Sequence, residues 1–304
     1  MSRSRESRPL SIDLTAPLVE AAPAKINLAL HITGRRADGY HSLEMLVAFA
    51  ELGDELEARP AARDGLAITG PFAPALGNGE GNLVLRALSA FRARWPDALP
   101  AGLAIRLAKN LPVAAGLGGG SADAAAALRL FSTLAGGVSP TDLLDLSRGL
   151  GADVPMCLYS RPAEVRGIGE IVVPLRHFPA CHVVLVNPLV PVITADVFRR
   201  LERRDNPGLP EIVDPLTRPA QLALLLGETR NDLEPPAIAM VPVIGDLIAR
   251  LRGASGCILS RMSGSGATVF GLFGSSAQAH QAAHDLRERW PAFWVAAAPL
   301  VGVA

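Results

Sequence analysis

A glycine-rich turn that runs into a helix-forming segment is the strongest constraint on this chain. Residues 111–127 read Leu-Pro-Val-Ala-Ala-Gly-Leu-Gly-Gly-Gly-Ser-Ala-Asp-Ala-Ala-Ala-Ala. Glycines lack the Cβ atoms that keep an anion away from the backbone, and a helix N-terminus offers unpaired N–H groups and the positive end of its dipole. The turn therefore predicts a phosphate site. Alternatively, the glycines only let the helix pack closely on a sheet, although one or two would be enough for that.

The details of the turn exclude two common nucleotide-binding loops. It is not a Walker A loop, because Ser121, Ala122 and Asp123 follow Gly120 where Gly-Lys-Ser/Thr would be needed. It does not fit the dinucleotide-binding fingerprint, because Ser121 occupies the place of the third glycine. Upstream, residues 102–109 alternate in the manner of a strand. Strand, turn and helix thus follow in the order that an anion site requires.

The composition excludes several classes of protein. A chain of 304 residues, 49% apolar and with a formal net charge of zero, predicts one large or two ordinary globular domains and no nucleic-acid partner. No apolar run reaches the roughly 20 residues of a membrane helix, so no membrane partner is expected. Cys157, Cys181 and Cys257 are widely spaced and odd in number, which predicts free thiols in a reducing cytoplasm.

The apolar pattern predicts mixed helices and strands. Strands are predicted at residues 24–32, 55–59, 66–69, 103–109, 163–165, 171–175, 182–186 and 267–273, with a last one after residue 293. Helices are predicted at residues 83–94, 122–134, 140–150, 221–226, 238–250 and 277–290.

The ends and the junction of the predicted domains follow from composition. Residues 1–20 predict a disordered leader, because arginines alternate with serines without an apolar core. Prolines cluster between residues 174 and 191 and indicate a domain junction there. We therefore expect one domain over residues 21–178 and a second over residues 179–304.

A lysine and an asparagine lie on one predicted strand. In Pro-Ala-Lys-Ile-Asn-Leu-Ala-Leu-His, residues 23–31, the alternation places Lys25, Asn27 and Ala29 on one face. Burying an ammonium without a partner is costly. Taken alone, the segment therefore favours an edge-strand lysine that faces solvent.

Two more segments carry residues suited to chemistry. After the Asp38-Gly39 turn, Tyr40 and His41 suit stacking and edge recognition of a flat ring, although a surface turn with an ordinary packed tyrosine fits equally well. Asp153 follows a predicted helix C-terminus, where the helix dipole disfavours a negative charge. That position favours a carboxylate with a functional role over one that caps a helix.

Together these segments resemble the motifs of the GHMP superfamily, named after galactokinase, homoserine kinase, mevalonate kinase and phosphomevalonate kinase. Residues 112–126 resemble its phosphate loop, and residues 262–270 resemble its C-terminal glycine motif. Residues 23–41 and 151–155 resemble the branch that phosphorylates a cytidine-diphosphate-linked methylerythritol. With residues 82–88, the motifs cover nearly the whole chain.

The resemblance implies a fold and an activity. The implied fold is the α+β, two-domain GHMP kinase fold, with the active site in the cleft between an N-terminal ATP-binding domain and a C-terminal ferredoxin-like domain. The implied reaction is ATP-dependent phosphorylation of the substrate's 2-hydroxyl, in the non-mevalonate route to isoprenoid precursors, with Mg²⁺ as cofactor. The implied enzyme is cytoplasmic and has a small-molecule partner, while monomer and homodimer both remain open.

The resemblance also implies residue roles. Asp153 would accept the hydroxyl proton, and Lys25 would keep that carboxylate ionised. Asn27 would hydrogen-bond the substrate near the reacting hydroxyl. Tyr40 and His41 match the cytosine-binding positions, with Phe198 as the second stacking face. The implied ATP-binding residues are Pro112, Val113, Ala114, Ala115, Gly116, Leu117, Gly118, Gly119, Gly120, Ser121 and Ala122, with Asn82 on the adenine side.

Some positions fall outside this pattern. Ala114 and Ala115 replace glycines that often precede Gly116, which should stiffen the entry to the turn. Ser121 is the one metal-ligand candidate, because the dipole of its helix accounts for Asp123. Residues 199–220 match no pattern and carry no prediction.

Two other functions remain open at this stage. The chain could be another GHMP kinase that acts on homoserine or a mevalonate derivative, which would not require Tyr40 and His41. It could also be a non-catalytic nucleotide-binding regulator, which would predict the loss of Lys25 and Asp153.

Overall fold

Two long antiparallel strands run through the first half of the chain. The computed structural model describes residues 16–76, 81–212 and 215–302. In it, β1 (Leu18–Arg35) pairs with β2 (His41–Ala61) from Leu18 opposite Ala58 to Arg35 opposite His41. Both strands are longer than the sequence predicts, because polar residues interrupt their apolar alternation.

The start of β1 corrects one boundary. Residues 18–20, predicted as the end of the leader, are the first residues of this strand. Glu20 is held there by a 3.0 Å ion pair with Arg129, which lies on the helix after the glycine turn. Residues 1–15 of the predicted leader lie outside the described residues.

Four more strands complete a six-stranded sheet around β2. Its order is β3-β4-β2-β5-β6, with β1 paired to β2. The β3 and β4 strands are parallel, and the other neighbours are antiparallel. The added strands are β3 (Gly65–Thr69), β4 (Gly102–Ala108), β5 (Ala163–Gly167) and β6 (Ile171–Pro174).

Helices pack on this sheet. The central one, α2, is buried at every position from Ala122 to Leu128, as expected of an alanine-rich helix inside a core, and it contacts β1 closely. A short 3-10 turn, Ala73–Ala75, precedes the first helix. The helices are α1 (Leu83–Arg94), α2 (Gly119–Leu134), α3 (Pro140–Arg148) and α4 (Val154–Tyr159).

The second half of the chain builds an antiparallel four-stranded sheet in the order β10-β7-β9-β8. With α8 and α9 packed on it, the sheet has the βαββαβ arrangement of ferredoxin-like domains, which confirms the predicted fold class. Its strands are β7 (His182–Asn187), β8 (Cys257–Met262), β9 (Val269–Phe273) and β10 (Trp294–Pro299). Its helices are α5 (Thr194–Arg199), α6 (Pro219–Gly227), α7 (Glu234–Met240), α8 (Val243–Arg252) and α9 (Ser276–Arg289).

Five of the six predicted helices have bounds that differ from those in the structure, and two of these differences have a clear physical meaning. The single helix predicted over residues 238–250 is two helices, because Pro242 disfavours helical backbone at Val241, whose φ and ψ are −137° and 83°. The helix predicted from residue 122 begins at Gly119, so that Gly119 and Gly120 lie in its first turn. Among the described residues, no helix is both long enough and apolar enough to cross a membrane.

Strand β1 joins the two halves of the molecule. Its Leu30 accepts a 2.9 Å backbone hydrogen bond from Asp232 and donates one of the same length to Arg230. The buried guanidinium of Arg261 donates to the carbonyl oxygen of Leu28 at 2.7 Å. The first sheet ends at Pro174, before the second begins at His182. The boundary between residues 178 and 179 stays a prediction.

A buried charge cluster lies beneath the glycine turn. The ammonium of Lys109, just after β4, contacts Asp54 at 2.5 Å and Asp123 at 2.8 Å, and each of the three side chains is at most 4% exposed. Asp54 also accepts the backbone N–H groups of Asn110 and Leu111, at 2.6 and 2.9 Å. The cluster therefore fixes the start of the turn to β2 and α2. The prediction that the helix dipole alone accounts for Asp123 is wrong, because Asp123 pairs with this lysine.

We expect Lys109→Ala to lower the free energy of unfolding by about 3–5 kcal/mol, because it leaves two buried carboxylates without their cation. Urea denaturation followed by circular dichroism measures this. Arg106→Ala is the matched control: Arg106 lies on β4, three residues before Lys109, and pairs with Glu57 at the surface, where an ion pair adds little. Equal losses in the two variants would contradict a structural role for the cluster.

Candidate active site

Two glycines of the turn are required by backbone conformation and by close packing. Gly116 and Gly118 have φ angles of 75° and 63°, in the left-handed region that favours glycine. A Cβ at Gly116 would lie 2.4 Å from the carbonyl oxygen of Ser263, and one at Gly118 would lie 3.1 Å from Cε of Lys25. Close packing therefore requires glycine at both positions, against the C-terminal glycine motif at Gly116 and against Lys25 at Gly118.

Gly120 is different, because nothing in the fold requires a glycine there. Its backbone has no positive φ, and a Cβ would meet only Cδ1 of Leu83, at an ordinary 3.6 Å. Gly120 is exposed and lines a cavity of about 360 Å³ at the N-terminus of α2. An open backbone at this end of a helix is suited to an anion.

The cavity collects most of the predicted ATP-binding residues. Leu117 and Ala122 do not line it, because each is 1% exposed and packs into the core. Asn82 lines it and also caps α1, with its side-chain oxygen accepting from the N–H of Val84 at 2.9 Å. The lining residues include Asn82, Lys109, Pro112, Val113, Ala114, Ala115, Gly116, Gly118, Gly119, Gly120, Ser121 and Asp123.

Lys25 and Asp153 meet beside the glycine turn. Nζ of Lys25 lies 2.8 Å from Oδ2 of Asp153, and their side chains are 6% and 33% exposed. Lys25 does not face solvent as the isolated strand pattern favours, because the turn covers it and Leu117 accepts its backbone N–H at 2.9 Å. Asp153 occupies the N-cap position of α4 but makes no capping hydrogen bond. Its carboxylate forms the ion pair with Lys25 instead.

Asn27 is enclosed between β2 and the C-terminal glycine motif. It is fully buried; its backbone N–H donates to Oγ of Ser263 at 3.1 Å, and its side-chain nitrogen lies 3.2 Å from the sulfur of Met45. Its side-chain oxygen has no hydrogen-bond partner in the described part of the chain. A register shift follows Asn27, so the strict alternation predicted up to Ala29 does not hold.

The residues predicted for base recognition lie at the end of the β1–β2 hairpin and on α5. The rings of His41 and Phe198 stack with centroids 5.0 Å apart and planes inclined by 29°. Tyr40 is 61% exposed. Within the described residues, Nε2 of His41 is buried without a hydrogen-bond partner. Burial lowers the pKa of His41, with a smaller effect from Arg204, so the imidazole is neutral at neutral pH.

Two serines of the C-terminal glycine motif, which the sequence pattern left without a role, hold the site together. Ser263 donates to the carbonyl oxygen of Gly116 at 2.9 Å, and the hydroxyls of Thr194 and Ser265 lie 2.8 Å apart. These contacts link the C-terminal glycine motif to the turn and to α5. The alternating serines and glycines of this motif indicate a functional loop. Its hydrogen-bond partners, Gly116 and Thr194, are distant in sequence, so the pattern could not identify them.

Comparisons with known proteins agree with this geometry. Residues 82–161 match the GHMP kinases N terminal domain, and residues 215–292 match the GHMP kinases C terminal family. A 4-diphosphocytidyl-2-C-methyl-D-erythritol kinase of Dinoroseobacter shibae is 47% identical over 92% of this chain and 94% of its own. One from Paracoccus denitrificans is 50% identical, over 92% and 96%. This chain belongs to the 4-diphosphocytidyl-2-C-methyl-D-erythritol kinase family. It is an ATP-dependent small-molecule kinase of the GHMP type.

Solved structures place this GHMP kinase in the same group. A crystal structure of 4-(cytidine 5′-diphospho)-2C-methyl-D-erythritol kinase has 37% identity and a TM-score of 0.77, covering 94% of this chain and all of that one. A homoserine kinase from Cytophaga hutchinsonii has 21% identity and a TM-score of 0.70, with 98% of each chain covered. The second likeness shows a common fold only, so it gives no support to the homoserine alternative.

We expect Gly118→Ala to lower the free energy of unfolding by about 1–2 kcal/mol, because alanine is strained in left-handed backbone. Its Cβ should also displace Lys25, with a loss of kinase activity. Gly120→Ala is the matched control and should keep or slightly raise stability, because alanine is a better helix former. Thermal unfolding of both variants measures the difference. A Gly120→Ala variant as unstable as Gly118→Ala would contradict the distinction.

Proposed function

We propose that this kinase transfers the γ-phosphoryl group of ATP to the 2-hydroxyl of 4-diphosphocytidyl-2-C-methyl-D-erythritol, in the non-mevalonate route to isoprenoid precursors. The observation that carries the proposal is the Lys25–Asp153 pair beside the glycine turn. A Cβ at Gly118 would lie 3.1 Å from Lys25 and 3.7 Å from Oδ2 of Asp153, so the pair directly adjoins the phosphate-binding backbone. The names of the relatives support the choice of substrate.

Asp153 acts as the general base. As the 2-hydroxyl oxygen forms its bond to the γ-phosphorus, the bond from that phosphorus to the β-phosphate oxygen breaks and ADP leaves. The hydroxyl proton passes to the carboxylate of Asp153. The ammonium of Lys25, 2.8 Å from this carboxylate, holds it in place and stabilises negative charge on the reacting oxygen. Asn27, the nearby buried amide, orients the substrate.

The turn holds the phosphates. The first N–H groups of α2 and the positive end of its dipole point into the cavity where the β- and γ-phosphates bind, and Gly120 leaves them room. Asn82, which lines the same cavity, lies toward the adenine. Because positioning and charge neutralisation supply most of the catalysis in phosphoryl transfer, this preformed backbone is the main contribution of the turn.

The residues of the cavity fit Mg²⁺ bound mainly through ATP. Magnesium usually binds one or two protein oxygens together with phosphates and water. In the described ranges, no group of three or more His, Cys, Asp or Glu side chains could hold a metal, but the hydroxyl of Ser121 lines the phosphate cavity. We propose that Ser121 supplies one oxygen. When bound, Mg²⁺ would neutralise charge on the phosphates.

The base of the substrate binds at the hairpin end. The exposed ring of Tyr40 and the ring of Phe198 provide flat apolar surfaces for a pyrimidine. The neutral imidazole of His41 has an unused Nε2 for hydrogen bonding at the edge of the base. This pairing of stacking and edge recognition accounts for a cytidine substrate better than for homoserine or mevalonate, which have no ring.

We also propose that the enzyme works in the cytoplasm as a monomer or homodimer, without nucleic-acid or membrane partners. Cys157, Cys181 and Cys257 are all unbridged, and burial raises the pKa of each thiol, to about 11 for the latter two. Free, unreactive thiols suit a reducing compartment.

A coupled assay of ADP release tests the substrate. With ATP and Mg²⁺, we expect turnover of 4-diphosphocytidyl-2-C-methyl-D-erythritol and none above background with homoserine or mevalonate. Product analysis by ³¹P NMR should locate the new phosphate on the 2-hydroxyl. Faster turnover of homoserine or mevalonate would overturn the assignment, and binding of ATP without turnover of any of them would favour a regulator.

We expect Asp153→Asn to lower kcat by about 10²–10⁴-fold, because the variant loses the general base but keeps the shape of the side chain. Lys25→Ala should also lower kcat strongly. Both variants should keep most of their affinity for ATP, measured by calorimetry. Asp145→Asn, which alters an exposed carboxylate, is the control. Near-normal kcat in Asp153→Asn would remove the general-base role.

We expect Tyr40→Ala to raise KM for the cytidyl substrate about 5–150-fold, which corresponds to a lost stacking energy of about 1–3 kcal/mol. Tyr40→Phe should retain most of the stacking. The chain has one other tyrosine, Tyr159, and Tyr159→Ala provides a control. A change in KM for ATP alone would place Tyr40 outside the base site.

A further inference from the structure

A cavity of about 870 Å³ lies apart from the candidate active site. Its walls are the segment Arg200–Asn206 after α5, the start of α7 and the strand β8. None of the residues to which we assign catalysis or ATP or cytidyl binding lines it. Its volume is within the range of about 300–1,000 Å³ that is usual for small-molecule sites.

Arginines dominate the charge of this cavity. Arg200 and Arg252 line it, and neither guanidinium has a hydrogen-bond or ion-pair partner within the described residues. Arg261 is buried at the wall, and its four hydrogen bonds all go to neutral oxygens, those of Leu28, Leu226 and Thr229. Burial lowers the pKa of Arg261 to about 10. The charge of this buried cation is therefore only partly compensated by the protein.

The acidic residues of the cavity do not cancel this charge. Both carboxylate oxygens of Asp232 are occupied, Oδ1 by Arg230 at 2.6 Å and Oδ2 by the N–H of Ile32 at 2.7 Å. Glu234 accepts the N–H of Met262 at 2.8 Å; burial raises its pKa, and the charges of Arg261 and Arg252 oppose that shift. Among the described residues, five arginines and three acids line the cavity, so its charge balance stays positive. Glu202, at the exposed rim, is the remaining acid.

Between these charges the walls are apolar. Leu201, Pro236, Ala239 and Ile258 line the cavity together with the arginines. The combination selects a ligand with a compact anionic group and a short apolar part, because inorganic phosphate would leave this apolar surface unused and a neutral hydrocarbon would leave the guanidinium groups without an anion.

We propose that this cavity is an effector site for a phosphate or diphosphate ester of a short apolar chain. Arg200 and Arg252 bind the anionic group, and the apolar wall holds the chain. The site communicates with the base pocket through the segment that follows α5. Phe198 on α5 stacks on His41, while the N–H of Asn206 donates to the carbonyl oxygen of Ile32 on β1 at 3.0 Å. An occupant that moves this segment changes the affinity for the cytidyl group.

Calorimetry with n-pentyl phosphate tests the site on the full chain. A saturating non-hydrolysable ATP analogue fills the phosphate turn, so that binding there does not contribute. We expect one equivalent of n-pentyl phosphate to bind saturably, with at least tenfold weaker binding of inorganic phosphate and of n-pentanol. Absence of saturable n-pentyl phosphate binding would overturn the proposal.

Variants locate the binding. The Arg200→Gln/Arg252→Gln double variant should bind n-pentyl phosphate at least tenfold more weakly, and Ala239→Trp, which fills the cavity, should do the same. Arg250→Gln is the matched control, because Arg250 lies on the same helix as Arg252 but faces Asp285, at 3.9 Å, and does not line this cavity. Wild-type affinity in the double variant, or an equal loss in Arg250→Gln, would overturn the assignment.

A kinetic measurement tests the coupling. Saturating n-pentyl phosphate should change KM for the cytidyl substrate at least twofold in the wild type and not in the double variant. An unchanged KM in the wild type would overturn the effector role. The calorimetric result does not depend on the proposed reaction, so failure of that reaction would be recognised separately.

Discussion

The glycine turn passes between two buried ammonium groups, and the rest of the site depends on how their charges are balanced. A Cβ at Gly118 would press on Lys25, and one at Gly119 would lie 3.0 Å from Nζ of Lys109. A buried cation is tolerated only with close anionic partners. Asp153 supplies one for Lys25, while Asp54 and Asp123 supply two for Lys109. These pairs fix where the turn, α4 and α2 lie relative to each other.

Strand β1 connects these ion pairs to the second half of the molecule. Near its start it presents Lys25 to the turn, and further along it binds the backbone of Arg230 and Asp232. The C-terminal glycine motif reaches back to it, since Ser263 bonds both Asn27 and Gly116. The active site is thus formed at a seam, and neither half contains it alone. The arginine-lined cavity lies next to the same seam, because Arg230, Asp232 and Arg261 all line it.

Much of the fold was predictable, because local patterns determine elements. The helix over residues 83–94 has its predicted bounds, with Asn82 as cap, and most strands coincide with their apolar runs. The sequence pattern did not predict the short elements α4 and β8, each of six residues. In β8, the buried Arg261 interrupts the apolar residues that would indicate a strand. Lys25 shows the limit most clearly. On its strand alone it suits an edge position, and only its distant partner Asp153 explains its burial.

The sequence by itself determined the glycine turn, the order of the motifs and the family, because these are encoded in consecutive residues whose conformational and chemical demands are local. Only the tertiary structure decided which of the cavity-lining glycines are also required by close packing. It alone also revealed the Lys109 cluster, the stacking of His41 on Phe198 and the second cavity. Each of these joins residues that are far apart in the chain, and their contacts depend on desolvation and close packing, which arise when the sheets and helices come together.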